Sequence, residues 1–322
     1  MPTAQSPKKD KKIPSNALFL GVDGGGTKTL AVVTGAKLNA LGEGKTGASN
    51  PMRVGVERAI DNIVSAIDRA CDAAEKSRFE IVSAEIGLAG VRRADLRELI
   101  RERLMARLNI KNLQVVTDAE IALYGATNGS AGLVIIAGTG SICRGRNAAG
   151  ETAAAGGWGP IAGDEGGGAG IAKRALQAVA KASDGRAEKT VLSELACDYF
   201  RAATPEDLAM AIYAPGVTNE RIAGFAKLVI EAARNKDAVA LALLDEAGCE
   251  LGLAANAVIK RLNMADERFQ VAFVGSVFKA KELIFATLLR KIHELAPAAF
   301  LAPPQLAPAV AAAKMAFENY RK

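Results

Sequence analysis

The sequence contains a single histidine, His293, in 322 residues, so any centre built on two imidazoles is excluded, most catalytic zinc sites among them. Its four cysteines, Cys71, Cys143, Cys197 and Cys249, lie far apart with no CxxC pair, which argues against a metal ribbon and a disulfide framework alike. Aromatic residues make up 5%, too few to lay out a stacking platform for single-stranded nucleic acid. No apolar run reaches 18 residues, and no apolar stretch follows the N-terminal lysines closely enough for a signal peptide. The reading is a soluble, cytoplasmic protein with no membrane partner.

Acidic charge is in slight deficit, and the formal net charge is +6. Four lysines and one aspartate between Lys8 and Lys12 supply half of that surplus. They sit in a polar segment with Pro2, Pro7 and Pro14, so residues 1–16 read as a disordered basic tail. The remaining surplus is an ordinary solvated surface. Any nucleic acid held by such a tail would be bound weakly and without sequence preference.

What the chain has in quantity is glycine. Fifteen of its 32 glycines fall between Gly125 and Gly170, and four more between Gly21 and Gly26. The first bunch follows the apolar run Ala17–Val22. Thr29–Thr34 and Leu38–Gly44 then read as two further strands. Val56, Ile60, Ile63, Ile67 and Ala70 recur at helical spacing. Ile81–Leu88 reads as a strand, Asp95–Leu108 as a helix, Leu113–Thr117 as a strand, and a helix follows Thr117. The plan then restarts. Gly132–Ala137 is an apolar strand ending in Gly138-Thr139-Gly140-Ser141, and Ile142–Asn147 precedes another turn. Helices are expected at Ile171–Ala182, Lys189–Phe200, Asn219–Arg234, Ala238–Leu262, Lys279–Glu294 and Ala307–Tyr320, with a strand at Phe269–Val274. The repetition suggests two related α/β domains facing a cleft, each presenting a glycine-threonine turn to it.

One nucleotide motif is false. Gly42-Glu43-Gly44-Lys45-Thr46-Gly47 has the letters GxGxxG and resembles the end of a P-loop, yet Asn39 stands where a P-loop needs glycine. Asn50-Pro51 also intervenes before any helix, whereas a dinucleotide loop opens one directly. Asp23-Gly24-Gly25-Gly26-Thr27-Lys28 has the better context, between two strands. Its glycines let the backbone approach an anion and aim N–H groups at it, Thr27 adds a hydroxyl, and Asp23 is a hard oxygen donor suited to Mg²⁺, directly or through water. Gly138-Thr139-Gly140-Ser141 repeats the arrangement, so the two turns read as a two-sided phosphate clamp.

Asp118 ends a strand and begins a helix. It fits a general base for a hydroxyl proton and, equally, an ordinary helix cap. The capping alternative also applies to Asp164. Gly157-Trp158-Gly159 places the only tryptophan among glycines, more natural against a ligand than in a core. His293 reads as a surface residue without a role.

Together the stretches VDGGGTKT, GASNP, GLAG, VTDAEIALYGA, IIAGTGSICRGR, GGWGPIAGDEGGGAGIA, IAGFAKL and VGSVFK resemble the N-acetylglucosamine kinase family of the actin-like ATPase and sugar kinase superfamily. The similarity is greatest to bacterial members acting on N-acetylglucosamine and N-acetylmuramic acid. The resemblance implies two actin-like, ribonuclease H-like domains with mixed sheets flanked by helices, closing over a sugar and MgATP. It places the N-terminal domain at 17–120, joined by the C-terminal helix 307–322, and the C-terminal domain at 121–306. It implies Asp118 as the base for the sugar 6-hydroxyl, and Asn50, Asp118, Gly157, Trp158, Gly159 and Asp164 at the sugar. Gly25, Gly26, Thr27, Lys28, Gly138, Thr139, Gly140 and Ser141 would hold the ATP phosphates, Ala223 and Gly275 the adenosine, and Asp23 the Mg²⁺. Two departures bear on the sugar: Pro51-Met52 replaces an aromatic found in the animal enzymes, and Ala89 replaces a serine.

Other functions stay open at this stage. A glucosamine kinase is similar but matches the GGWG and GDEG stretches less well. An ATPase activator of the 2-hydroxyacyl-CoA dehydratase type would need cluster-binding cysteines, and none of the four sits in a recognisable cluster motif. A sugar-responsive repressor would need a helix-turn-helix, for which 16 residues before the first strand are too few. A homodimer is left open.

Overall fold

The structure, a computed structural model, describes residues 13–321, so most of the expected basic tail lies outside the described residues. In chain order the elements are β1 Leu18–Gly24, β2 Thr29–Thr34, β3 Ala40–Thr46, α1 Pro51–Val54, α2 Val56–Ala73, β4 Ile81–Leu88, α3 Ala94–Leu108, β5 Leu113–Thr117 and α4 Asp118–Thr127. Next come β6 Gly132–Ala137, β7 Ser141–Arg146, β8 Thr152–Gly156, α5 Gly159–Ala162, α6 Gly168–Ser183, α7 Leu192–Phe200, α8 Leu208–Ile212, α9 Asn219–Gly224, α10 Ala226–Arg234 and α11 Ala238–Arg261. The chain ends with β9 Gln270–Val274, α12 Lys281–His293, β10 Phe300–Ala302 and α13 Pro308–Arg321.

The chain divides into two compact units. One takes the chain up to Gly129 and again from Pro304 onward; the other is Ser130–Pro303. Helix α4 packs on α13 and β4, so the boundary falls after Gly129 rather than after residue 120, and the first unit resumes at Pro304 rather than at residue 307.

In the first unit the strand order is β3-β2-β1-β4-β5. β1, β2 and β3 are antiparallel neighbours, while β1, β4 and β5 run parallel. β1 is buried on both sides, as a central strand of a covered sheet must be. Leu18, Leu20 and Val22 enter a core with Ile60, Ile63 and Ile67 of α2 and Ile100 and Leu104 of α3. Phe19 points the other way and meets Phe317 of α13 edge-on, ring centroids 5.0 Å apart. Tyr124 of α4 donates to Glu318 of α13 at 2.5 Å, so α4 is held by the same C-terminal helix.

The second unit repeats the order as β10-β9-β6-β7-β8, with β6, β9 and β10 parallel and β6, β7 and β8 antiparallel. Its core takes Leu133 and Ile135 from β6, Phe225, Leu244, Leu251 and Val258 from the helices, and Ile284 and Leu288 from α12. Two helices depart from the sequence expectation. Asn219–Arg234 is interrupted at Phe225, a fully buried side chain packed on Tyr199 and Phe200, where the backbone tightens to Phe225 N–Ile222 O and Leu228 N–Phe225 O bonds. α7 starts at Leu192 rather than Lys189 because Asp237 holds the Thr190 hydroxyl at 3.0 Å and the Val191 amide at 3.2 Å.

Candidate active site

The register of the first sheet sets Gly24 beside Leu88, and Leu88 beside Thr117. The segments beginning at Gly25, Ala89 and Asp118 therefore leave one edge together, at the carboxyl ends of three parallel strands, where open α/β sheets bind ligands. Asp23 is the penultimate residue of β1. Burial raises its carboxyl above the ordinary value, the charge of Asp118 raises it further, and Lys28 opposes both. Two carboxylates thus share this edge.

Capping does not account for Asp118. The N-cap of α4 is Thr117, whose hydroxyl accepts from the Glu120 amide at 3.3 Å, while the Glu120 carboxylate accepts from the Thr117 amide at 2.7 Å. This reciprocal capping box satisfies the helix start. Asp118 Oδ1 accepts from the Ala119 amide at 2.9 Å.

The glycine turn after β1 is closed by the Gly25 amide donating to the Lys28 carbonyl at 2.9 Å. The Gly25 carbonyl then accepts from the amides of Ser49 and Asn50 at 3.0 and 3.1 Å, which brings Asn50 to the turn. Thr29 Oγ1 donates to the Gly47 carbonyl at 2.7 Å and lies 2.8 Å from the Ser49 hydroxyl. Asn50 caps the short helix α1, accepting from the Met52 amide at 2.9 Å. Gly90 lies directly against the Asn50 side chain, and the Ala89 amide donates to the Gly24 carbonyl at 2.8 Å. Asp23, Gly25–Lys28, Asn50, Ala89 and Asp118 are one neighbourhood. Pro51 is buried at the first position of α1, and Met52 is 74% exposed.

In the second unit the turn 138–141 is sewn to the start of α6. Gly168 and Ala169 amides donate to the Gly138 and Thr139 carbonyls, both at 2.8 Å. Asp164 is buried, and its carboxylate accepts from the Ser141 amide at 3.2 Å, while the Ser141 hydroxyl donates to the Glu165 carbonyl at 2.6 Å. Burial raises the Asp164 carboxyl, the Ser141 amide lowers it and Glu165 raises it again. Asp164 is not the cap of α6 either; that place belongs to Gly167. Gly275, at φ 120°, lies against the Ala137 carbonyl and the Gly138 amide, where no side chain fits.

A cavity of about 620 Å³ opens beside this turn, lined by Gly138, Thr139, Gly168, Ala223, Ser276 and Val277 among others. It brings together Gly138 and Thr139, expected at the phosphates, and Ala223, expected at the adenosine, while Gly140, Ser141 and Gly275 are not among its lining residues. The sequence reading missed Lys227, Ile230 and Lys279, which line it too. The available signal was slight: Ala223, Lys227 and Ile230 recur at helical spacing toward one side.

Gly157 donates its amide to the Ser141 carbonyl at 2.8 Å, and Trp158 follows, 72% exposed. Trp158 lines a second cavity of about 250 Å³ with Ser141, Glu165 and Glu250. The expected sugar residues thus form two groups: Asn50 and Asp118 in the first unit, Gly157, Trp158, Gly159 and Asp164 in the second.

Gly42–Gly47 carries no nucleotide loop: it is strand β3 and its exit. His293 is exposed, with Nε2 2.9 Å from the Ala299 carbonyl. Cys71 and Cys143 are buried in the two cores. Among the described residues, no group of three or more His, Cys, Asp or Glu side chains could hold a metal ion, and no helix is long and apolar enough to cross a membrane.

Known proteins resemble the chain in sequence and in fold. The sequence pattern of the BadF/BadG/BcrA/BcrD ATPase family matches residues 20–316. An N-acetylmuramic acid/N-acetylglucosamine kinase of Clostridium acetobutylicum is 35% identical over 261 residues, covering 80% of this chain and 84% of the relative. An N-acetyl-D-glucosamine kinase of Dictyostelium discoideum is 29% identical over 316 residues, 95% and 99% of the two chains. The solved structure of a provisionally assigned N-acetylglucosamine kinase of Chromobacterium violaceum superposes with a TM-score of 0.74 at 28% identity, covering 94% of this chain and 99% of the other. The actin-like kinase fold expected from the resemblance is the fold found.

Proposed function

The chain belongs to the BadF/BadG/BcrA/BcrD ATPase family, and from that membership and its kinase relatives we propose that it transfers the γ-phosphoryl group of ATP to the 6-hydroxyl of N-acetylglucosamine, with Asp118 as general base. That the enzyme is an ATP-dependent sugar kinase follows from the relatives; the acceptor hydroxyl and the residue roles are our reading. N-acetylmuramic acid is a second acceptor within it, as the name of the Clostridium relative suggests.

The observation that carries the reading is Asp118, a carboxylate at the sheet edge that the helix does not need for capping, in one neighbourhood with Asn50 and the glycine turn. Phosphoryl transfer asks a protein mainly for positioning and for charge stabilisation. Asp118 takes the hydroxyl proton as the new P–O bond forms. Asn50 orients the sugar, and Gly157, Trp158, Gly159 and Asp164 are the sugar residues we assign within the second unit. Thr27 and Thr139 donate hydroxyls to ATP phosphates, helped by the amides of their turns, and Ala223 and Gly275 flank the adenosine. Asp23 fits a Mg²⁺ role on the chemistry of its donor set: one hard carboxylate suits an ion that takes most other ligands from water and phosphate. A dication would also offset the burial and the Asp118 charge that together raise the Asp23 carboxyl. Bound there, it would neutralise phosphate charge. The buried positions of Cys71 and Cys143 give no support to the activator reading.

The direct test is Asp118→Asn. Loss of a general base costs on the order of 10²- to 10⁴-fold in kcat, with ATP binding retained. Full turnover by the variant would remove Asp118 from the mechanism.

A further inference from the structure

Ser141 is expected at the ATP phosphates, yet both of its donors are spent elsewhere. Its amide donates to the Asp164 carboxylate at 3.2 Å and its hydroxyl to the Glu165 carbonyl at 2.6 Å. Its carbonyl accepts from the Gly157 amide at 2.8 Å. A phosphate oxygen takes donors, and Ser141 has none left to give. Thr139, two residues earlier in the same turn, is exposed and lines the 620 Å³ cavity, whereas Ser141 is buried. All three partners of Ser141 lie in or beside the sugar residues assigned within the second unit, Gly157–Gly159 and Asp164.

Asp164 needs such a hold. Its backbone lies in the left-handed region at φ 65°, where a residue with a side chain stays only if its surroundings fix it. Ser141 fixes it twice, at its carboxylate and at the next carbonyl along the chain. Gly140 lets the carboxylate come close, since a Cβ there would lie 2.4 Å from Asp164 Oδ1. We infer that Ser141 is a positioning residue for the sugar and not a phosphate ligand, holding Asp164 and the segment of Trp158 in the arrangement that the acceptor meets. The turn is divided between the two substrates, Thr139 serving phosphate and Ser141 the sugar side. The inference rests on the amino-sugar kinase reading above.

The experiment reads the two substrates separately, by calorimetric titration with N-acetylglucosamine and with ADP, in the unaltered protein and in Ser141→Ala, Ser141→Cys and Ser141→Thr. Alanine removes the hydroxyl, and cysteine keeps its shape with a weak donor. Threonine keeps the hydroxyl, and the cavity of about 250 Å³ that Ser141 lines has room for the added methyl. Ser141→Ala and Ser141→Cys should weaken sugar binding about tenfold, the scale of one buried hydrogen bond lost, and move ADP affinity less than about threefold. Ser141→Thr should stay within about threefold on both. If the alanine variant fails to fold, the cysteine and threonine variants carry the comparison. Weaker ADP binding with sugar affinity intact would overturn the inference and return Ser141 to the phosphates. Equal loss on both ligands, or no change on either, would overturn it as well. In those cases sugar-dependent ADP release by the unaltered protein leaves the kinase reading standing. If the unaltered protein neither binds the sugar nor releases ADP with it, both fall together.

Discussion

A carboxylate that burial and a neighbouring acid both push toward its protonated form, as happens to Asp23, works against the fold until a counter-charge arrives. The sign follows directly. With its folded pKa raised above the ordinary 3.8, Asp23 contributes stability that is present below that value and is lost as pH rises through the raised one. Asp23→Asn should therefore melt higher than the unaltered protein at pH 7 without nucleotide, the gap closing toward pH 4. The same variant should lose sugar-dependent ADP release on the order of 100-fold, the scale of losing one charge-stabilising group. Thermal melts across that pH range decide it: a lower melting temperature at pH 7 would mean that Asp23 is held by a structural partner. Single residues were only partly legible in the sequence. Asp118 could be read as base or cap until the structure gave the cap to Thr117 and Glu120. The tie of Asn50 to the Gly25 carbonyl is a backbone bond across 25 residues of chain, which no local pattern announces.

Elements were read better where a period governs them. β2, β4, β5 and β6 end where alternation and apolar runs place them, and α2 follows its Ile60–Ile63–Ile67 stripe. The departures have long-range or aperiodic causes. α1 is four residues capped by Asn50 with proline at its start, too short to show a period. The late start of α7 is imposed by Asp237, and the interruption after α9 by the aromatic cluster at Phe225. The glycines of β3 show why letters mislead. Gly42 and Gly44 face α2 so closely that a methyl on either would run into the backbone at Ala70 or Ala66. They serve helix-on-sheet packing. Gly44→Ala should cost about 1–3 kcal/mol, the usual scale of overpacking, and leave ATP affinity unchanged. Chemical denaturation and nucleotide titration separate the two. Weakened ATP binding without loss of stability would restore the stretch as a nucleotide loop.

At the scale of the molecule, the chain uses one sheet order twice and gives each copy a glycine-threonine turn at the end of its leading strand. That repetition was visible in the sequence because each strand, turn and strand is local. The return of the chain to finish the first unit was visible only through the family resemblance, since contacts such as Phe19 with Phe317 span nearly the whole length. Under the proposed function, the first unit carries the residues assigned as base and glycine turn, and the second carries Ala223 beside its own cavity. Transfer of phosphate to an amino sugar is measured by ADP release from ATP across N-acetylglucosamine, N-acetylmuramic acid, glucosamine and glucose, with the product's phosphate position read by NMR. Release should depend on N-acetylglucosamine, with glucose far weaker, and the product should be the 6-phosphate. Release that none of the four sugars stimulates would contradict it.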